Sequence, residues 1–200
     1  MTKNENNKKN LPAVAISQEL AMITANQFLK DFSIPVMQKQ LRKVDNVLAV
    51  IETKTPSIAL INKKFGEDFT QAYIEGWIVN LRDFLNVGKK MTDQQTQETA
   101  IMIMDLYYNI TIADINLIFR RAKLGQWGQI YDRMDGQIIL SWFEKYFNER
   151  CRAFADKSIL EADKFKNDPY QRASNKQKNK EHAGKVGAFI EQFKGESLRK

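Results

Sequence analysis

Histidine and cysteine are almost absent from this sequence, which holds one residue of each type, His182 and Cys151. A single cysteine excludes an internal disulfide framework and is typical of a reducing cytosol. His182 lies in a polar stretch near the C-terminus, where a side chain cannot be held as rigidly as catalysis requires. The sequence also has no Cys/His cluster for zinc and no Glu-x-x-His motif. We therefore expect a protein that is not an enzyme and has no metal site and no cofactor.

Long apolar runs are lacking as well. No segment approaches the roughly 20 apolar residues that a membrane helix needs. The apolar run at residues 11–16 is too short for the core of a signal peptide. The sequence therefore predicts a soluble cytoplasmic protein without a membrane partner, and it gives no sign of a small-molecule substrate.

Proline and glycine are scarce, at four and nine residues, and the apolar spacing is helical almost throughout. No alternating pattern is long enough to build a sheet. The expected fold class is all-α, a compact bundle of six or seven helices with a disordered N-terminal arm and a mobile basic C-terminal tail. The corresponding domain limits are residues 1–12 for the arm, 13–168 for the helical domain, and 169–200 for a basic tether with a short amphipathic terminal helix.

The first half of the chain predicts three main helices. The first covers about Val14 to Lys30, and the second runs from Pro35 to Ile51, ahead of Pro56. A short segment from Ser57 follows. The third helix, about Glu67 to Val87, has Gly88 as its expected C-cap. Its apolar face is predicted to hold Phe69, Tyr73, Trp77, Leu81, Phe84 and Leu85.

The second half begins with two predicted capping motifs, one from Thr92 to Gln95 and one from Thr111 to Asp114. Gly125 is placed to end the helix that the second motif opens, and Asp135 resembles the N-cap of a long last helix. The inner face of that helix is predicted to hold Ile138, Ile139, Trp142, Phe143, Tyr146, Phe147, Cys151 and Phe154.

Positive charge is concentrated in the C-terminal tail. The chain holds 31 Lys and Arg against 24 Asp and Glu, a net charge of +7, which favours an anionic partner. Residues 172–200 contain eight cations and three anions, so most of the excess lies there. We expect Lys176, Lys178 and Lys180 to contact nucleic acid through its phosphates.

Apolar residues return near the end of the tail at the spacing of an amphipathic helix: Val186, Phe189, Ile190 and Phe193. One interpretation is that this helix packs back onto the core. A second is that it docks into a groove of a protein partner, which makes these four residues a candidate partner-binding site. A third is that the segment is an inert tail.

Residues 120–136, RRAKLGQWGQIYDRMDG, combine cations, aromatic residues and glycines between two predicted helices. The segment is explained in part as a joint, because cations at a helix C-terminus complement the helix dipole and Gly125 supplies the cap. Its second expected role is to contact nucleic acid, with aromatic rings that stack on bases and cations that neutralise phosphates. The candidate nucleic-acid-binding residues are Arg120, Arg121, Lys123, Gln126, Trp127, Tyr131 and Arg133.

The stretch Thr111–Arg150 resembles a segment of uncharacterised all-helical proteins carried by bacterial phages and mobile elements. In these proteins a helix ending in basic residues leads to a Gly-x-x-Gly turn, a Tyr-x-Arg-x-Asp-like stretch and an aromatic helix closed by an arginine. The resemblance covers about a fifth of the chain, and it implies a setting in the host cytosol similar to that of replication accessory factors. The matching positions are Gly125, Gly128, Tyr131, Arg133, Asp135, Trp142, Tyr146 and Arg150.

Two functional hypotheses follow. The first is a non-enzymatic DNA-associated accessory protein, such as a replication factor or helicase-loader-like adaptor of a phage or mobile element, which binds nucleic acid and also a protein through its terminal helix. The second is a protein-interaction or phage structural module with no nucleic-acid surface. They differ in whether Arg120, Arg121, Lys123 and Arg133 form one exposed patch with the tail or pair with local acids.

Overall fold

Eight α-helices make up most of the described chain, which the computed structural model gives for residues 20, 22–130, 133–167, 177 and 180. The all-α prediction is confirmed, since these residues form no sheet and only two isolated bridges, Ser57 with Thr111 and Lys89 with Arg133. No helix among them is long and apolar enough to cross a membrane. The helices are α1 (Ala25–Phe32), α2 (Ile34–Gln40), α3 (Val47–Ile51), α4 (Ile58–Phe65), α5 (Glu67–Phe84), α6 (Asp93–Leu106), α7 (Ile112–Lys123) and α8 (Gly136–Asn167).

The chain divides into two compact units after Cys151. The described part of the first unit contains α1 to α7 and the beginning of α8. In the second unit the described residues 152–164 continue α8, and their side chains are exposed or half-buried. The predicted domain limits at residues 12 and 168 lie outside the described residues and stay predictions.

Helix α7 is the central element of the first unit, because nine of its twelve residues are buried. It packs against α2, α3 and α5, and α5 also packs against α4 and α6. Phe119 of α7 lies between aromatic rings of two other helices, 6.3 Å from Trp77 of α5 and 5.9 Å from Phe143 of α8. The core is therefore arranged around α7, and side chains on its different faces meet different neighbours.

Local capping sets both ends of α7 as the sequence predicts. Thr111 and Asp114 form a reciprocal capping box at its start. At its end Gly125 has a φ of 70°, and its N–H donates to the Ala122 carbonyl while the next N–H donates to the Arg121 carbonyl. These two bonds define a Schellman motif, which needs the left-handed conformation that glycine adopts without strain. The predicted capping box at Thr92 is also confirmed.

Three predicted helix bounds are wrong. The first predicted helix is interrupted at Ile23 and Thr24, because the Thr24 side chain caps α1 by accepting from the Gln27 N–H. The predicted helix over 35–51 is two helices, since the Asn46 side chain starts α3 in the same way by accepting from the Ala49 N–H. Helix α5 ends at Phe84 rather than at Val87, and its C-cap is Leu85 rather than Gly88.

Helix α5 ends earlier than predicted because the residues after it pair with a distant segment of the chain. The Met134 N–H donates to the Lys89 carbonyl at 3.0 Å, and Met91 and Met134 are both buried. This pairing requires an extended backbone after Leu85, and it leaves Phe84, which was predicted in the core, 58% exposed. Cys151 is likewise exposed instead of buried, because it lies where α8 leaves the core of the first unit.

Candidate functional site

Side-chain contacts of Arg121 and Trp127 hold the C-terminal end of α7 in place. The Trp127 indole N–H donates to the Ile118 carbonyl at 2.9 Å. Arg121 makes a bidentate ion pair with Glu149 of α8, with N–O distances of 2.5 and 3.0 Å. Its guanidinium also lies 5.5 Å from the Trp127 ring and 5.8 Å from the Tyr146 ring, within the range of cation–π attraction. Arg121 therefore holds two helices together, and most of its charge is already engaged.

A fully buried carboxylate, Asp114, holds the same two helices together. Its Oδ2 accepts from the N–H and the hydroxyl of Thr111, at 2.7 and 2.8 Å. Its Oδ1 accepts a 2.6 Å bond from the Tyr146 hydroxyl and lies 3.1 Å from Arg150 Nε in an ion pair. Burial, and then the charge of Asp114, raise the pKa of Tyr146. Both carboxylate oxygens are therefore occupied, so this group serves the packing of α7 on α8 rather than proton transfer.

The other predicted contact residues are dispersed. Arg133 is exposed, with its Nε 3.3 Å from Asp135 Oδ2, and Gln126 and Lys180 are exposed. Tyr131, Lys176 and Lys178 lie outside the described residues, as do the four predicted partner-binding residues Val186, Phe189, Ile190 and Phe193. Among the predicted cations that the structure describes, Arg120 and Lys123 are brought together on one cavity.

This cavity has a volume of about 340 Å³ and lies between α2, α5 and α7. Helical spacing explains its lining, because residues three, four and seven apart share one face of a helix. Helix α7 supplies Asn116, Phe119, Arg120 and Lys123 at this spacing. The remaining lining residues are Trp77 and Phe84 of α5, Gln38 of α2, and Arg42 in the turn after α2. We call it the cationic cavity, after Arg42, Arg120 and Lys123.

Lys123 is held in place over an apolar surface. Its Nζ donates to Asn80 Oδ1 at 2.7 Å and lies 5.0 Å from the centre of the Phe84 ring. The same Asn80 oxygen accepts from Gln38 Nε2 at 2.9 Å. Burial lowers the pKa of the Lys123 ammonium, because a partly desolvated cation is less stable than a hydrated one. An anion beside Lys123 would offset this cost.

Arg120 is oriented by main-chain groups rather than by an acid. Its Nη1 donates to the carbonyls of Arg42 and Val44, at 2.5 and 3.2 Å, which fixes the turn after α2 against α7. The ion pairs found among the described residues do not include Arg42, Arg120 or Lys123. The lining also contains no carboxylate. Three cationic side chains thus converge on one cavity without a counter-charge from the part of the chain that the structure describes.

Two buried polar groups adjoin these cations. Asn116 lines the cavity and is only 4% exposed, so a side-chain amide forms part of the cavity wall beside the cations. An amide can both donate and accept hydrogen bonds, so it can bind a polar group of a ligand. The Trp77 indole N–H lacks hydrogen-bond geometry to any described group. The Trp77 indole nevertheless interacts favourably with the Tyr73 hydroxyl, so it is not free to bind a ligand in the cavity.

Sequence reasoning identified Arg120 and Lys123 but missed the rest of the lining. Arg42 and Gln38 could not be found, because their position depends on how α2 packs against α7. Asn116 left a visible signal, since it is an amide within the apolar run from Ile115 to Phe119. Phe84 was assigned to the core, and its exposed position depends on where α5 ends.

Comparisons with family models, curated proteins and solved structures find no match to this chain. The function of the chain is therefore inferred from its own residues.

Proposed function

We propose that this protein is a non-enzymatic nucleic-acid accessory protein, which binds DNA phosphates at the cationic cavity. The observation that carries the proposal is the convergence of Arg42, Arg120 and Lys123 with no acid in the lining. Anionic phosphates are the groups that such cations bind most often, and arginine in particular offers several donors to phosphate oxygens. The cavity also has an aromatic surface, as expected of a protein that contacts unpaired bases.

The setting of the proposal comes from the resemblance of Thr111–Arg150 to proteins of phages and mobile elements. Replication factors and helicase-loader-like adaptors of such elements are the class that we favour. Two of the matching positions, Tyr146 and Arg150, contact Asp114 and thereby fix α8 against α7. These residues support the fold of the segment, and they are not among the residues that line the cavity.

The test is fluorescence anisotropy with labelled single- and double-stranded DNA across a salt series. We expect binding that weakens as salt rises, because phosphate contacts release condensed counterions. Lys123→Met should weaken binding several-fold and reduce the slope of log Kd against log salt by about 0.7 to 0.9, the value for one lost phosphate contact.

The matched control is Lys145→Met, which removes the same charge at an exposed site on α8. It should leave both the affinity and the slope almost unchanged. Absence of binding below about 0.1 M salt, where phosphate contacts are strongest, would exclude the proposal. Equal effects of the two substitutions would show that binding depends on net charge and not on the cavity.

The second candidate is a protein-interaction module, and one feature of α6 favours it. Ile101, Met102 and Leu106 are 40%, 47% and 61% exposed, and Tyr108 just beyond the helix is 60% exposed. Neighbouring exposed apolar side chains are typical of protein-binding surfaces. In that case DNA binding would be absent, and a protein retained from host lysate by the wild type should be lost with Leu106→Lys but kept with Lys145→Met.

A further inference from the structure

We infer that the cationic cavity binds a single nucleoside phosphate, with the phosphate between Arg42, Arg120 and Lys123 and the base against the aromatic and amide lining. This inference rests on the proposed function and deepens it, because it names an unpaired nucleotide as the part of DNA that is bound. A free nucleotide presents the same chemistry, a planar base joined to a phosphate, and the experiment below separates the two sources.

The size of the cavity suits one such unit. Its volume of about 340 Å³ lies at the lower end of the range of small-molecule pockets, roughly 300 to 1,000 Å³. Access is provided by Arg42 and Phe84, both of which are exposed. A duplex cannot enter a cavity of this volume, so we expect unpaired nucleotides to be preferred.

The lining of the cavity contains aromatic and amide side chains that can contact a base. Phe84 provides an exposed aromatic ring at the edge of the cavity, and the almost fully buried Trp77 and Phe119 form part of its apolar wall. Stacking on aromatic side chains is the usual way in which unpaired bases are held. The Asn116 amide in the cavity wall can exchange hydrogen bonds with the edge of a base. Gln38 donates to Asn80 through its nitrogen, which leaves its carbonyl oxygen as a second acceptor.

The three cations supply the positive charge that binds a phosphate. Arg120 and Lys123 are three residues apart on α7, so their like charges face the same space and repel each other. Arg42 adds a third charge from another part of the chain. The helix dipole explains why cations lie at the end of α7, but it does not explain why Arg42 joins them. A bound phosphate accounts for all three cations on one cavity.

Isothermal titration calorimetry on the full-length protein tests the inference with deoxyadenosine monophosphate, deoxyadenosine and inorganic phosphate as probes. We expect the nucleotide to bind at least tenfold more tightly than either of its parts. Asn116→Leu should weaken nucleotide binding at least tenfold while the melting temperature changes little, because leucine has a similar size and removes only the amide that contacts the base. Lys145→Met should bind the nucleotide as the wild type does.

Competition between the nucleotide and DNA separates the possible results. If single-stranded DNA displaces the nucleotide and a blunt hairpin does not, the bound unit is an unpaired nucleotide of a strand, which supports both proposals. If the nucleotide binds and DNA does not, the inference is supported for a free nucleotide and the proposed function is wrong.

Three other results overturn the inference. If DNA binding depends on Lys123 but the nucleotide does not bind and Asn116→Leu changes nothing, the proposed function survives alone. If inorganic phosphate binds as tightly as the nucleotide, the cavity is a simple anion site. If neither these probes nor DNA binds, both proposals fail.

Discussion

The Tyr146 hydroxyl donates a 2.6 Å hydrogen bond to Asp114 Oδ1, and both side chains are completely buried. A buried carboxylate is tolerated only when its oxygens are satisfied, and here the donors come from the start of α7 and from α8. The bond therefore links the capping box of the central helix to the helix that packs over it. Its strength determines how firmly α7, which also carries half of the cationic cavity, is positioned.

Tyr146→Phe should lower the free energy of unfolding by about 1.5 to 3 kcal/mol, the range for a hydrogen bond to a charged group. The ring is kept, so the loss reports the bond rather than the packing. Urea denaturation measures it. Tyr108→Phe is the matched control, because Tyr108 is 60% exposed, and it should change stability by less than about 0.5 kcal/mol. Similar values for the two variants would contradict the role given to the buried bond.

Alkaline pH should destabilise the fold through the same tyrosine. Burial, reinforced by Asp114, raises the pKa of Tyr146 above its ordinary value near 10, which applies in the unfolded chain. Below pH 10 both states keep the proton, so the stabilisation is fully present. Above pH 10 the unfolded state releases the proton and the folded state retains it, so stability falls as pH rises towards the folded pKa.

Urea denaturation between pH 9 and 11 measures this dependence. The slope from one such tyrosine is about 1.4 kcal/mol per pH unit. Tyr146→Phe should lose that part of the slope, while the contribution of the exposed lysines is common to both proteins and cancels. Parallel pH curves for the variant and the wild type would contradict the prediction. Tyr73, whose pKa is raised mainly by burial, should leave a residual slope in the variant.

Replacement by alanine should change the stability of the folded protein in opposite directions at two helical glycines. A Cβ at Gly76, inside α5, would make an ordinary contact of 3.5 Å with Ile34 Cδ1. Gly76→Ala should therefore stabilise the protein by roughly 0.5 to 1 kcal/mol through the unfolded chain and helix propensity. A Cβ at Gly136 would overlap Thr99 Oγ1, whose hydroxyl is fixed by a 2.7 Å bond to the Gln95 carbonyl.

Gly136→Ala should consequently destabilise the protein by about 1 to 3 kcal/mol, because a stiff, buried threonine must move. Thermal unfolding of the two variants beside the wild type measures both effects. A rise in melting temperature for both variants would show that α8 can shift away from α6 without cost. It would then follow that the start of α8 is less firmly packed than the contact with Thr99 indicates.

The sequence allowed the all-α class and the ends of α7 to be predicted, because capping depends on residues three to five positions apart. Thr111, Asp114 and Gly125 carry that information locally. The end of α5 could not be predicted in this way, since it depends on the pairing of Lys89 with the segment before α8. Local signals determine where a helix can start or stop, and packing determines which of those options is used.

In the candidate site, too, local sequence signals predicted some residues, and tertiary packing determined the others. Arg120 and Lys123 were identified as cations at a helix end, although the pattern could not separate them from Arg121, which pairs with Glu149. Arg42 meets Arg120 across 78 residues of chain, and only the packing of the turn after α2 brings it there. Asn116 was the one further clue, because an amide in an apolar helical run requires a partner.

DNA binding should weaken as pH rises towards the range in which Lys123 loses its proton. Burial lowers the pKa of this ammonium below that of an exposed lysine. The protonated form is the one that attracts phosphate. Since its pKa is depressed, the charge is fully present at neutral pH and is lost at a lower pH than that of exposed lysines.

Lys123→Arg provides the control for this pH dependence, because arginine stays protonated at every pH at which the protein is folded. Anisotropy titrations from pH 7 to 10 at constant ionic strength should show the affinity of the wild type falling while that of Lys123→Arg stays nearly level. Lys145→Arg should leave the fall unchanged, since that side chain is exposed and outside the cavity. If the wild type and Lys123→Arg fall together, the loss arises from other groups, and Lys123 is not the ammonium that holds the phosphate.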